Sequence, residues 1–495
     1  MGVGGWQPTP RAALALLAAA AAVALAALAL DLGGDRPRLA VDPDRIAREA
    51  ASADDPLDFS EERADALAAR ATLGTSHPIY AKSPDGVVAS AERTARWREL
   101  VERAAERWEV DADTLEAMVL LESAGRPEVM ADGTPHSATG LTQITPSAAT
   151  ELLGMRVDLA RSAELTKRIA RAAERGRTQL ALRLARERRR VDERFRPDRA
   201  LDGAARYLRI ATDRFGSEEL AVVSYHMGIG NLESVIADFT GADVGAERTA
   251  EVVDEHDLSY ARLFFDSSPL EHEEAWRRLA GFGDDSALYL WRVRAAREIM
   301  RAWREDPEAL SERAARITAK ATLEEHYHPE EEAEVYEDAD AIAEALDEGE
   351  LVEIPDDPEL GFRISEHVGE LADELGVDPQ LYRSLRPEAL AALTHMAAKV
   401  KAISGAERPL RLTSAVRDRA YQEALVGENP EATSGYSLHT TGWAFDIQRD
   451  YANDAQAAAF QFVLDRMRAH ALIDYAREPA AIHVTVSPLA LELLE

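Results

Sequence analysis

The chain contains no cysteine in its 495 residues. That absence excludes disulfide bonds, thiol catalysis, cysteine zinc sites and a lipid-modified amino-terminal cysteine, while leaving export open. Positive charge is also scarce. Against 57 basic side chains stand 90 acidic ones, for a formal net charge of −33. No basic face is evident that could release counterions from a polyanion, which excludes nucleic acid as the partner. The acidic balance fits a requirement for solubility, as in a salty environment. What the chain has is bulk: a hydrophobic fraction of 46% and abundant alanine favour a largely helical globular protein. Its length predicts two or three domains rather than one core.

Arg11 precedes a run of nineteen uncharged Ala, Leu and Val residues, Ala12 to Leu30. At 1.5 Å per residue such a helix nearly crosses a hydrocarbon core of about 30 Å. Residues 1–30 therefore read as a transmembrane signal anchor. Ala27-Leu28-Ala29 also fits a cleavage site, so a removed signal peptide is the alternative. Either places the remainder outside the cytoplasmic membrane. Residues 31–88 are acidic and broken by Pro37, Pro43, Pro56, Pro78 and Pro84, with a partly helical stretch from Phe59 to Ala71. They read as a flexible tether.

The chemistry starts at Glu122. Asp111 or Asp113 caps a helix that Gly125 and Pro127 terminate. Leu115, Met118, Val119 and Glu122 fall at i, i+3, i+4 and i+7, so the carboxylate sits on an apolar face. Partial burial and the negative helix end both disfavour its charged form, as a general acid near neutral pH requires.

Glu122-Ser123 is followed by Gly140-Leu141-Thr142-Gln143-Ile144-Thr145-Pro146, and later by Ser224-Tyr225-His226-Met227-Gly228. This ordered series resembles the soluble lytic transglycosylases, which have a lysozyme-like fold, over about Trp97 to Trp303. The resemblance implies that Glu122 is the catalytic acid, that Ser123, Gln143, Tyr225 and His226 bind substrate or support the acid, and that no cofactor is needed. His226 replaces the family's usual Asn, and Met227 its Ala. Helices are predicted over Ala91–Trp108, Leu201–Phe215 and Ser286–Trp303. Between Met155 and Phe195 lies an insertion whose cationic run, Arg183 to Arg190, reads as a solvated helix face with Leu180, Leu182 and Leu184 buried. Residues 306–357 read as an acidic surface linker, its His326 and His328 included.

The last segment, 358–495, begins with predicted helices over Ile364–Leu375 and Pro387–Ile403, then turns to short strands, an α+β pattern. Strand alternation places Asp446 opposite Trp443, Phe445 and Ile447, and puts His483 and Thr485 on one face. His439, Asp446 and His483 form a ligand set suited to zinc with one position left open. The order Ser437-x-His439-x-x-Gly442-x-Ala444-x-Asp446, then His483, resembles the zinc D,D- and L,D-carboxypeptidases of peptidoglycan. That resemblance implies Arg417 as the oxyanion stabiliser. The family's Glu-x-x-His base is missing, since Ala480 stands three before His483. Glu478 serves if a local bulge brings it in; otherwise the module only binds stem peptides.

These readings combine into a multidomain, envelope-localised protein: signal anchor or signal peptide (1–30), tether (31–88), mainly α lysozyme-like transglycosylase domain (89–305), acidic linker (306–357) and α+β zinc-carboxypeptidase-like domain (358–495). The expected partners are peptidoglycan glycan strands, stem peptides and the membrane. A hydrolytic muramidase, with Asp132 or Glu233 as second carboxylate, and a non-catalytic wall-binding scaffold are the alternatives.

Overall fold

A computed structural model describes residues 42–51, 55, 57–318, 326–428 and 435–494. The predicted membrane segment lies outside these residues, among which no helix is long and apolar enough to cross a membrane. The chain divides into two compact units. One is Thr75–Thr318; the other combines the described residues before 75 with those after 318.

The first unit is helical, and the Glu122 helix, Ala112–Ser123, is its axis. Asp111 caps it, accepting from the Thr114 amide at 2.9 Å. Ala124, in the left-handed conformation, ends it, one residue before the expected glycine. The helix is buried on more than the one predicted face: Leu115, Ala117, Met118 and Val119 are wholly covered. Helices Val87–Ala95, Arg98–Trp108, Pro197–Phe215 and Tyr289–Glu305 enclose it. Glu116 is 1% exposed and is tied by Arg98 at 3.0 Å and by Arg304. Two guanidinium groups thus meet one buried carboxylate, which offsets the cost of desolvating it.

The insertion is a helical hairpin, Leu159–Glu174 against Thr178–Val191, closed over Leu165, Ala172 and Leu184. Leu182 is exposed, contrary to the sequence reading. The cationic run is not wholly solvated either. Arg188 is buried over the Phe195 ring, and it shares the Glu128 carboxylate with Arg189.

The second unit carries a five-stranded sheet in the order β2-β4-β5-β7-β6, with β2 (Phe362–Ile364), β4 (Leu410–Ser414), β5 (Ala444–Gln448), β6 (Ile473–Arg477) and β7 (Ala481–Val486). β2 and β4 are parallel and the other pairs antiparallel. A two-residue pair, β1 (Val352–Glu353) with β3 (Ser384–Leu385), lies apart. Leu412, Phe445, Ile447, Ile482 and Val484 form one apolar face, packed with residues of helices Pro387–Ser404 and Asp454–Ala469. The helix expected over 364–375 is reduced to Ala372–Leu375, because Phe362–Ile364 extends the sheet.

Two segments read as connectors are parts of the units. Within the expected tether, whose residues 31–41 lie outside the described ones, helices Pro43–Ala50 and Ala64–Gly74 form, and Ile46, Ala50 and Leu57 enter the core against helix Pro387–Ser404. Asp55 seals the contact through Lys399 Nζ at 2.6 Å, with His395 Nε2 at 3.7 Å. The expected acidic linker likewise gives helix Pro307–Thr318 to the first unit and helix Ala339–Glu348 to the second, where Ile342 and Ala345 are buried. His328 is buried too, stacked on Trp443 with Nε2 2.6 Å from the Val486 carbonyl. Apolar side chains spaced among acidic ones decide this, since each buried Ile or Leu contributes about 1.5–3 kcal/mol. The second unit produced without residues 42–74 is therefore expected to lose several kcal/mol of stability. Denaturant unfolding of the two versions measures this, and equal midpoints would refute it.

Candidate active site

Glu122 lies in the last turn of its helix, half-buried. Its Oε1 accepts a hydrogen bond from the Tyr289 hydroxyl at 2.6 Å. Burial pushes the carboxyl up to about 7, against the Tyr289 hydrogen bond and the nearby Arg292, which both favour the charge. A carboxyl raised into this range can keep, near neutral pH, the proton that an acid must deliver.

The sequence reading gave the carboxyl's support to Tyr225. The structure gives it to Tyr289, at the start of helix Tyr289–Glu305. Tyr225 donates instead to the Thr142 carbonyl at 2.7 Å, and its ring lies nearly parallel to that of Tyr289, centroids 6.5 Å apart. Nothing local marks Tyr289 in the sequence beyond an aromatic residue opening a helix. Tyr289→Phe is expected to raise the Glu122 pKa further, because a bond to the charged form is lost. The alkaline limb of the pH–rate profile should move up by about one to two units, given about 1.5–3 kcal/mol for such bonds. An unmoved limb would show that this bond does not tune the acid.

Ser123 is a correction. It is buried, and its hydroxyl lies 2.8 Å from the Leu141 carbonyl and 3.1 Å from that of Val119, so it ties the acid's helix to the Gly140–Pro146 loop rather than facing a ligand. Gln143, at φ +48°, is half-buried and donates to Gly140 O at 2.8 Å and Val129 O at 3.3 Å, bracing the same loop. Gly140 has a physical reason: a Cβ there would sit 2.1 Å from the Arg194 carbonyl oxygen. Arg194 and Asp192, both fully buried, form a pair at 2.8 Å, and Arg194 also donates to the carbonyls of Pro135, Ser137 and Ile144. This buried pair, absent from the sequence reading, fixes the loop beside the acid.

His226 is exposed at the end of helix Glu218–Met227. Its Nδ1 lies 2.8 Å from Ser286 Oγ, and its ring stacks on Tyr289 at 5.1 Å. The two candidate second carboxylates are committed elsewhere. Asp132 holds a turn through Thr134, and Glu233 is held by Arg214 at 3.0 Å and Thr249 at 2.8 Å.

The second unit brings His439, Asp446 and His483 together, their ligand atoms all within 4.8 Å of one another. Asp446 and His483 are cross-strand partners on β5 and β7, as the alternation required. His439 comes from the single turn Leu438–Thr441. Its Nδ1 lies 2.8 Å from the Ala415 carbonyl, which can only accept, so Nδ1 carries the hydrogen. Its Nε2 then turns a lone pair toward Asp446 Oδ1 at 3.2 Å, while His483 Nδ1 approaches the same oxygen at 2.9 Å. Burial and Arg417 hold the His439 imidazole down to about 4, so it is neutral. A lone pair aimed at an ionised carboxylate calls for a cation between them, and the two-His, one-carboxylate donor set fits zinc.

Arg417 donates to Ser414 Oγ at 2.6 Å and Gln422 Oε1 at 3.0 Å, and lies 3.6 Å from Asp446 Oδ2. Glu478 opens the hairpin turn between β6 and β7. No bulge occurs, for the register runs unbroken from Ile473↔Val486 to Arg477↔Ile482. Ala476 faces His483, so Glu478, two residues on, falls on the same side, and its charge acts on Arg417. A hairpin turn therefore replaces the expected bulge.

Residues 173–243 match the family model described as the transglycosylase SLT domain. The match includes Tyr225 and His226 and supports a lytic transglycosylase acting on peptidoglycan glycan strands. No curated protein matches the chain.

Proposed function

We propose that the unit of residues 75–318 cleaves the MurNAc–GlcNAc bond of peptidoglycan with formation of 1,6-anhydro-MurNAc. The observation that carries this is the Glu122 carboxyl, raised to about 7 and held by Tyr289, with the candidate second carboxylates tied up in other bonds. Glu122 protonates the glycosidic oxygen. The 6-hydroxyl of the same MurNAc closes on C1 and yields its proton to a base in the cleft, Glu122 itself in the mechanism the resemblance implies. No water is consumed, so no second carboxylate is required to direct one.

The unit built around His439, Asp446 and His483 is read as a zinc D-Ala carboxypeptidase-like or stem-peptide-binding module. Zinc, when bound, would supply Lewis-acid activation of a peptide carbonyl. His439, Asp446 and His483 would hold it, Arg417 would face the developing oxyanion, and Glu478 is the candidate base. The apolar run of residues 12–30 supports placement in the cell envelope, anchored to the cytoplasmic membrane and facing the periplasm or wall. A signal peptide removed on export would instead leave the protein soluble in the envelope.

Digestion of purified sacculi, with mass analysis of the released muropeptides, tests the first activity. Anhydro-MurNAc ends are expected. Reducing MurNAc ends would assign a hydrolytic muramidase instead, and no release would assign a wall-binding scaffold.

A further inference from the structure

His226 is the group in the cleft whose chemistry is unused so far. Its surroundings resemble those of an oriented base more than those of a wall residue. Ser286 is buried, and its amide donates to Asp284 Oδ1 at 2.8 Å. Burial tends to raise the Asp284 carboxyl, but hydrogen bonds from the Ser286 hydroxyl and amide, with the charge of His226, bring it below the usual range. In the tautomer with the Ser286 hydroxyl turned toward the Asp284 carboxylate, Ser286 Oγ accepts from His226 Nδ1 at 2.8 Å. That tautomer leaves Nε2 with its lone pair, on an exposed residue, without a partner among the described residues.

The ring is also fixed in place. It stacks on Tyr289 at 5.1 Å, and the hydroxyl of that tyrosine holds Glu122. One aromatic side chain therefore carries the acid at its tip and the imidazole on its face. Charges reach His226 from the Asp284–Asp285 turn, which favours the imidazolium, and from Arg292 on the Tyr289 helix, which opposes it. The protein packed around the ring, although the residue as a whole is exposed, is the largest influence, and the net effect keeps the imidazole below its ordinary range.

We propose that His226 is the proton acceptor for the attacking sugar hydroxyl, oriented by Ser286 and Asp284, so that acid and base are separate groups. The proposal rests on the transglycosylase reading of Glu122. As the glycosidic C1–O bond breaks, Glu122 gives its proton to the leaving oxygen. The C1–O6 bond forms, and the O6 proton passes to His226 Nε2. The imidazolium then returns that proton to the Glu122 carboxylate, so no proton is consumed overall. Asn in this position cannot accept a proton at an sp2 nitrogen, so a chain with Asn must rely on the carboxylate for both steps.

The test is the pH dependence of kcat/KM on soluble glycan strands, for the full chain and its His226→Asn and Ser286→Ala variants. Wild type is expected to show a bell, falling above about 7 as Glu122 ionises and falling on the acid side as His226 gains a proton. His226→Asn should lose the acid limb and lower kcat about 100-fold with little change in KM. Ser286→Ala should shift the acid limb while retaining more activity, as suits a positioning residue. An acid limb that persists in His226→Asn, or a change confined to KM, would overturn the proposal, provided thermal melting shows a folded variant. Reducing MurNAc ends from wild type would instead overturn the underlying transglycosylase reading.

Discussion

Replacing Glu122 with Gln is expected to leave the fold intact and lower sacculus solubilisation by about 100- to 10,000-fold, the range that a positioned general acid contributes. The substitution is nearly isosteric, and its amide can still accept from Tyr289, whose hydroxyl donates to Oε1 at 2.6 Å. It removes the one thing the carboxyl supplies: a proton whose release is matched to neutral pH, since burial has raised its pKa to about 7. The loss should appear in kcat, because the proton moves only as the glycosidic bond breaks. No stability is expected to be lost, since the amide carries no charge to bury. Full activity in Glu122→Gln, with an unchanged melting temperature, would remove Glu122 from the chemistry altogether.

The second large effect concerns the His439–Asp446–His483 cluster. The chain is expected to bind about one zinc ion, as three converging donors with an open position allow. His439→Ala and His483→Ala should each abolish it, measured by metal analysis after dialysis. The reason lies in the geometry. His439 is set by the Ala415 carbonyl at 2.8 Å, and Asp446 meets both imidazoles within 3.2 Å, so each donor is already oriented before any ion arrives. Glu478→Gln should keep the zinc, since Glu478 stands outside the donor set. If Glu478 is the base, that variant loses cleavage of peptides ending in D-alanine. If wild type binds zinc and stem peptide yet cleaves nothing, the module only binds stem peptides. Absence of zinc from the wild type would refute both versions.

Sequence alone determined what depends on near neighbours along the chain. The spacing of Leu115, Met118, Val119 and Glu122 and the alternation around Asp446 and His483 follow from helical and strand periods, while the choice of Asp111 over Asp113 as the cap came with the structure. These periods hold wherever the element forms, so the apolar setting of Glu122 and the strand faces of Asp446 and His483 were legible before any fold, while His439, on a short turn, was marked only by the motif. Tertiary structure decided what depends on which surfaces meet. Tyr289 reaches Glu122 across 167 residues, and no local pattern distinguishes it from other tyrosines that open helices. Arg194 and Asp192 become a buried brace only because the chain after the hairpin brings Arg194 against the carbonyls of Ser137 and Ile144, at either end of the Gly140 loop. Ser123, next to the acid in the motif, is buried with its hydroxyl on the Leu141 carbonyl. The stretch from Asp42 to Gly74 looks like a solvated spacer from its prolines and acids, yet Ile46, Ala50 and Leu57 complete a core whose other half begins almost 300 residues later, where Val352 and Ile354 join the same cluster. Burial is a property of the assembled surface, not of the segment, and no count of charges in one stretch can reveal the apolar face waiting for it in another.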